Sequence, residues 1–204
     1  MKNKVIEVFL YNDKLKFSEI EELTNLRSNK LAYYLKSFEQ EKIITKENGN
    51  YSLSSDFEHI IPYVSDKQAA LPAVLIAIGK KESFFLHFRE KKPYKGFLGL
   101  PAGRILVGEG VEDAVKRIMK NKHGIDAKLK HINSVSLEHI RKNGKVVHSF
   151  LHILVSASTK DKVSYLNIEK NKNKMIKSDY WFLKNHRKLK YDLKTINSKT
   201  SISI

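Results

Sequence analysis

The chain has no cysteine, which removes disulfides, thiol nucleophiles, Fe–S clusters and any Cys-based zinc site in one step. It also lacks a long apolar run. The longest, Ala69–Gly79, is 11 residues and is interrupted by Pro72, whereas a membrane-spanning helix needs about 20. The N-terminal MKNKVIEVFLYNDK reaches Glu7 before the apolar core of a signal peptide can form. The expectation is a soluble, cytoplasmic protein. Acidic charge is the third shortage: 22 Asp+Glu stand against 38 Lys+Arg, a formal net charge of +16. What is present is enough to fold. With 41% hydrophobic and 10% aromatic residues, the 204-residue chain can build a core, and its length suggests one large or two small domains.

A positive surplus of this size suggests nucleic acid or an anionic ligand, so its location matters. Residues 1–60 hold 9 Lys+Arg and 10 Asp+Glu, a balance of −1. Residues 61–204 hold 29 and 12, a balance of +17. The chain divides into a near-neutral head and a basic body.

In the head, Val5, Val8 and Phe9 stand at helical spacing. Ser18 with Glu21 reads as a capping box opening a second helix, with Ile20 and Leu23 on its apolar side. After a tight connection at Thr24-Asn25-Leu26-Arg27, Ser28 reads as the cap of a third helix with a Leu31, Tyr34, Leu35, Phe38 stripe. The period then changes. Residues 43–45 and 51–53 read as strands joined by a turn containing Asn48-Gly49, a hairpin signal. The segment NKLAYYLKSFEQEKIITKENGNYSLS resembles the recognition helix and wing of small winged helix-turn-helix regulators. That resemblance implies DNA as a partner and an outward face of helix three that enters the major groove. Asn29, Tyr33 and Lys36 share that face, with Lys30 and Ser37 beside them and Arg27 and Ser28 at its entry.

In the body, residues 71–78 and 83–89 read as strands, residues 146–157 as a buried strand, and residues 167–177 as a lysine-rich loop. Between them lies GFLGLPAGRILVGEGVEDAVKRIMKNKHGID, which looks like the Nudix box. Gly103, Glu109, Arg117, Met119, Gly124 and Ile125 fall in the family's register, and Leu100-Pro101-Ala102-Gly103 stands where the family usually has LPGG. The resemblance covers residues 71–197 and implies that Tyr180-Trp181-Phe182 and residues 184–196 form the family's C-terminal strand and helix.

The family's metal-binding glutamates stand at the first, fourth and fifth positions after the arginine. At i, i+3 and i+4 they converge on one helix face, where hard oxygen ligands hold Mg²⁺ or Mn²⁺. Here those positions are Ile118, Asn121 and Lys122. Exchanging three carboxylates for one ammonium changes that face by four units of charge, which opposes a divalent cation. No metal or cofactor and no catalytic residue is therefore expected. Glu138-His139 and the pair His148 and His152, which share a strand face with Phe150, supply no complete alternative.

The expected fold class is α+β: a winged helix-turn-helix domain (residues 1–56), a linker (57–70), a Nudix-like α/β/α sandwich (71–197) and a flexible tail (198–204). The combination resembles Nudix-related transcriptional regulators with the domain order reversed. It implies a homodimeric DNA-binding regulator whose catalytically inactive Nudix-like domain senses a nucleotide or diphosphate-type ligand. The candidate ligand-binding residues are Arg104, Arg117, Lys122 and Glu138. Gly103, Glu109 and Gly124 are expected to hold the box together. The alternatives are an atypical Nudix hydrolase of a nucleoside diphosphate derivative, and a protein- or RNA-binding module that uses the basic body.

Overall fold

The computed structural model describes residues 2–57 and 69–190, which form two compact units separated before Ala69. The linker's residues 58–68, the C-terminal tail and residues 191–196 of the expected last helix lie outside the described residues. Among the described residues no helix is long and apolar enough to cross a membrane.

The first unit starts with α1 (Lys2–Glu7), continued by a 3-10 turn at Val8–Leu10. Then come β1 (Leu15–Lys16), α2 (Phe17–Thr24), α3 (Ser28–Gln40), β2 (Ile44–Glu47) and β3 (Asn50–Leu53). Their apolar stripes meet in one core of Val5, Phe9, Leu15, Ile20, Leu31, Leu35, Phe38, Ile44 and Tyr51. Each full burial of a large aliphatic or aromatic side chain contributes about 1.5–3 kcal/mol. β2 and β3 pair antiparallel with Glu47 opposite Asn50. The two residues between them, Asn48 and Gly49, both take positive φ (49° and 80°), the conformation a twisted two-residue hairpin needs.

Two helix starts differ from the sequence reading. The cap of α2 is Lys16, and Glu19 accepts its N–H at 2.6 Å, so the box sits two residues earlier than Ser18–Glu21. Glu21 instead accepts the Ser28 hydroxyl, which makes Ser28 the first residue of α3 with Arg27 as its cap. The two-residue β1, which pairs with β3, was not anticipated because so short a segment has no detectable period.

The second unit is built on β4 (Leu71–Lys80), which runs parallel to β10 (Lys145–Thr159); β10 pairs antiparallel with β9 (Ala127–Lys142). β5 (Ser83–Phe84) and β11 (Leu166–Asn167) extend the sheet on the far side of β4. β8 (Ala102–Arg104) also pairs with β4, while β6 (His87–Phe88) and β7 (Leu98–Gly99) form a separate ribbon. Alternate residues of a strand face opposite ways. Val74, Ile76 and Ile78 pack on Ala114, Val115, Ile118 and Met119 of α4 (Val111–His123). Leu75, Ala77 and Leu154 pack on the other side against Leu98, Leu100, Met175, Phe182 and Leu183. Phe182 and Leu183 belong to α6 (Lys177–Asn185), which follows the short α5 (Ile168–Asn171). The sheet is thus covered by a helix on each face, which is why β4 reads as a continuous apolar run.

Several boundaries require correction. The strand expected over residues 83–89 is split into β5 and β6. Tyr180-Trp181-Phe182 lies within α6 and is not a strand, because burial of Phe182 and Leu183 follows a helical period. Residues 168–174 are short helical turns and not an open loop. The buried strand is buried only from His152 inward; Val146, Val147 and Leu151 are exposed.

Candidate functional site

The loop before α4 is fastened to the helix by one bidentate pair. The Arg117 guanidinium donates to both Glu109 carboxylate oxygens, one of these bonds being 2.8 Å, and to the Arg104 carbonyl at 2.8 Å. The Arg117 bonds, with the N–H of Leu106 at 2.9 Å, hold the Glu109 carboxyl below its usual range. Gly103 lets β8 approach α4: a Cβ there would lie 2.7 Å from Ile118 Cγ1. Gly124 ends the helix in the left-handed conformation (φ 68°), its N–H reaching the Lys120 carbonyl at 2.9 Å.

Between the C-terminal end of this scaffold and the sheet lies a pocket of about 240 Å³. Part of its lining is cationic. Arg89, Arg104 and Lys122 line it, and the Lys122 amine donates to the Ala102 carbonyl at 2.5 Å. Partial burial, then the neighbouring Arg89, Arg117 and Lys91 charges, hold that amine below the usual ammonium range. Arg89 is itself steadied by a 3.0 Å bond from its Nε to the Pro93 carbonyl.

The lining also holds two carboxyl groups with opposite tendencies. Glu138 accepts from His152 Nε2 at 2.8 Å and from the Tyr94 hydroxyl at 3.4 Å. Burial works to raise its carboxyl, but the bonds from His152, Ser178 and Tyr94 outweigh burial and keep it below its ordinary value. Asp179, only 5% exposed, accepts the Leu100 N–H at 2.7 Å. Burial pushes it up to about 6, against the opposing effect of that bond. Gly99 makes the contact possible, since a Cβ there would lie 2.9 Å from Asp179 Oδ2. Burial and the Glu138 charge likewise push Tyr94 up to about 12. His152 stacks on Phe150 and leaves its Nδ1 buried without a partner. A lining that combines cations with a carboxyl pair suits a ligand with an anionic part and a hydrogen-bond-donating part.

The structure gathers Arg104, Lys122 and Glu138 into this pocket but not Arg117, which is committed to Glu109 and lines a separate groove with Lys120 and Asn121. The three box positions also fail to converge. Ile118 is fully buried in the core, Asn121 faces the second groove, and only Lys122 reaches the pocket. These residues do not fit a divalent cation, and no group of three or more His, Asp or Glu that could hold a metal occurs among the described residues. Glu138 pairs with His152, not with the adjacent His139, which contacts Ser149 at 2.8 Å. His148, Phe150 and His152 do share one face.

Sequence reading missed Arg89, Tyr94, His152 as the partner of Glu138, and Asp179. The contacts of Tyr94, His152 and Asp179 span 14 to 79 positions along the chain, while Arg89 is set by a bond four positions away. Only Asp179, an acid two positions before the Trp181-Phe182-Leu183 run, leaves a local sign.

In the first unit, Arg27, Ser28, Asn29, Lys30, Tyr33 and Lys36 are exposed along α3, and Ser37 is half-buried, its hydroxyl donating to Glu41 at 2.7 Å.

No family model matches the chain, and no curated protein matches it. Among solved structures, it is similar to a NUDIX hydrolase from Nitrosomonas europaea at 15% identity, over 58% of this chain and 81% of that one, with a TM-score of 0.45. It is similar to a UDP-X diphosphatase at 15% identity, over 85% and 86% of the two chains, with a TM-score of 0.44. It is also similar to the NUDIX domain of Shewanella oneidensis NrtR, solved with ADP ribose, at 13% identity, over 62% and 93%, with a TM-score of 0.46. The expectation that the chain is no enzyme is corrected by these findings: the solved structures it is similar to include Nudix hydrolases and a diphosphatase.

Proposed function

We propose that the second unit binds a diphosphate-bearing, nucleotide-like ligand in the pocket between β8, α4 and β9, and that the first unit reads DNA as a winged helix-turn-helix. The observation that carries the ligand reading is the presence of Arg89, Arg104 and Lys122 together in the lining of a single pocket. Lysine contributes a point charge to phosphate and arginine a planar fork, so together they neutralise a diphosphate without a cation. Calorimetric titration with ADP ribose, dinucleotides and nucleoside diphosphates, with and without Mg²⁺, tests it. The expected result is binding that does not require Mg²⁺; absence of binding by all of them would sink the reading.

The DNA reading is supported by three helices and a three-stranded antiparallel sheet in the first unit, with Asn29, Tyr33 and Lys36 outward on α3. A DNA pull-down from the native genome, repeated with Asn29→Ala and Tyr33→Ala, tests it. A two-fold operator would call for a homodimer, which light scattering in the presence of the selected DNA would reveal. Such a chain would act as a ligand-responsive regulator.

A second reading is favoured by the carboxyl pair, since Glu138 is held ionised while Asp179 is held toward its protonated form, an arrangement that acid–base chemistry uses. In this reading the chain hydrolyses a nucleoside diphosphate derivative. Phosphate release measured in Mg²⁺ and in Mn²⁺, in the parent and in Glu138→Gln, distinguishes a hydrolase from a chain that only binds.

A further inference from the structure

Next to the cationic pocket lies a second cavity of about 520 Å³, and four of its nine lining residues are aromatic. Tyr94 and Ile176 line both cavities, so they share a wall. Phe97, Tyr180 and Trp181 supply the other large faces, and Lys172 and Lys177 stand at the rim. Phe97 and Trp181 are 45% and 49% exposed, more than these residues are when they serve only as core.

The walls are held in place. The Tyr180 hydroxyl donates to Glu169 at 3.0 Å, and Lys172 Nζ lies 5.2 Å from the centroid of the Tyr180 ring. The Trp181 ring packs edge-on against Phe182 and lies 4.6 Å from the His186 ring. Held rings lose little freedom when a flat partner arrives, and an aromatic face accepts any base. Lysines at the rim would meet ring carbonyl or phosphate oxygens.

Resting on the ligand reading above, we propose that this aromatic cavity is the nucleobase subsite, so that one ligand spans both cavities: phosphates on Arg89, Arg104 and Lys122, and base against Trp181 and Phe97. The chain contains a single tryptophan, so its fluorescence reports on this cavity alone.

The test titrates the full chain with ADP and with inorganic pyrophosphate, following heat and tryptophan fluorescence together. ADP is expected to bind more tightly and to quench the fluorescence saturably, while pyrophosphate binds without quenching. Trp181→Ala and Phe97→Ala should each weaken ADP by roughly tenfold and leave pyrophosphate unchanged. Trp181→Phe should restore most of the loss. Lys122→Ala should weaken both ligands. Should Trp181→Ala fail to fold, Phe97→Ala and the parent's quenching carry the same test. If pyrophosphate binds in a Lys122-dependent way but ADP binds no more tightly and quenches nothing, the nucleobase subsite is wrong while the diphosphate reading stands. If neither ligand binds, both fall.

Discussion

The two units offer their candidate binding groups in opposite ways. Along α3 of the first unit, Asn29, Tyr33 and Lys36 are exposed. In the second unit Arg89 and Glu138 are half-buried and Asp179 is buried, and Lys122, though its side chain is exposed, is tied to the Ala102 carbonyl. The exposed face can be altered without disturbing its own fold, and whatever affinity it has comes from what it meets. The pocket's groups are part of the fold's own stability, so a change there alters binding and folding together.

The largest effect is expected where the box position is core. Ile118→Glu reinstates the residue the Nudix pattern has there, but on a fully buried site packed against Gly103. An unpaired charge in such a place costs about 3–5 kcal/mol, so the urea midpoint should fall sharply. Asn121→Glu, on the exposed side of the same helix, should leave the midpoint nearly unchanged. Equal tolerance of both would break the contrast between core and groove.

Asp179 ranks next. The folded chain keeps this carboxyl protonated up to about pH 6, whereas the free side chain releases its proton near 3.8. The stabilisation is therefore complete below about pH 4 and is lost as the pH rises through 6, by up to about 3 kcal/mol at one pKa unit per 1.36 kcal/mol. Asp179→Asn should flatten the decline of the melting temperature between pH 4 and 7 while retaining an acceptor for the Leu100 N–H. An unchanged decline would mean that another group governs that range.

Smaller effects concern binding. Lys122→Ala removes a charged donor from the pocket and should weaken pyrophosphate roughly 10- to 100-fold. Asn29→Ala should weaken the selected DNA to a similar or lesser degree, by about 1–3 kcal/mol if it reads a base edge. It should leave stability within about 0.5 kcal/mol. Loss of stability without loss of DNA affinity would reverse the contrast between exposed face and pocket. The smallest change should be Lys120→Ala, whose 2.8 Å pair with Asp126 is largely exposed; the urea midpoint should stay within the scatter of the parent's.

Local signals were legible where neighbouring residues decide the outcome. The Leu31, Leu35, Phe38 stripe, the Asn48-Gly49 turn and the strand over 71–78 all follow from short-range sterics and period. The spacing of Gly103, Glu109, Arg117 and Gly124 likewise matches the loop-and-helix unit that Arg117 fastens. A second Asn-Gly pair, Asn143-Gly144, has positive φ at both residues (52° and 76°) and closes the long β9–β10 hairpin, of which only residues 146–157 had been read.

Residue content and spacing alone carry the excess of basic charge beyond residue 60, the absence of thiol chemistry, and the absence of carboxylates at Ile118, Asn121 and Lys122. Only the tertiary structure decided that Ile118, Asn121 and Lys122 part company, because sheet packing draws one helix position into the core and leaves the next ones on separate surfaces. It also decided that Arg117 serves Glu109 and not the pocket, and that Glu138 meets His152 while Asp179 meets Leu100. Such pairings join residues far apart in the chain. Burial, not sequence spacing, sets their proton affinity.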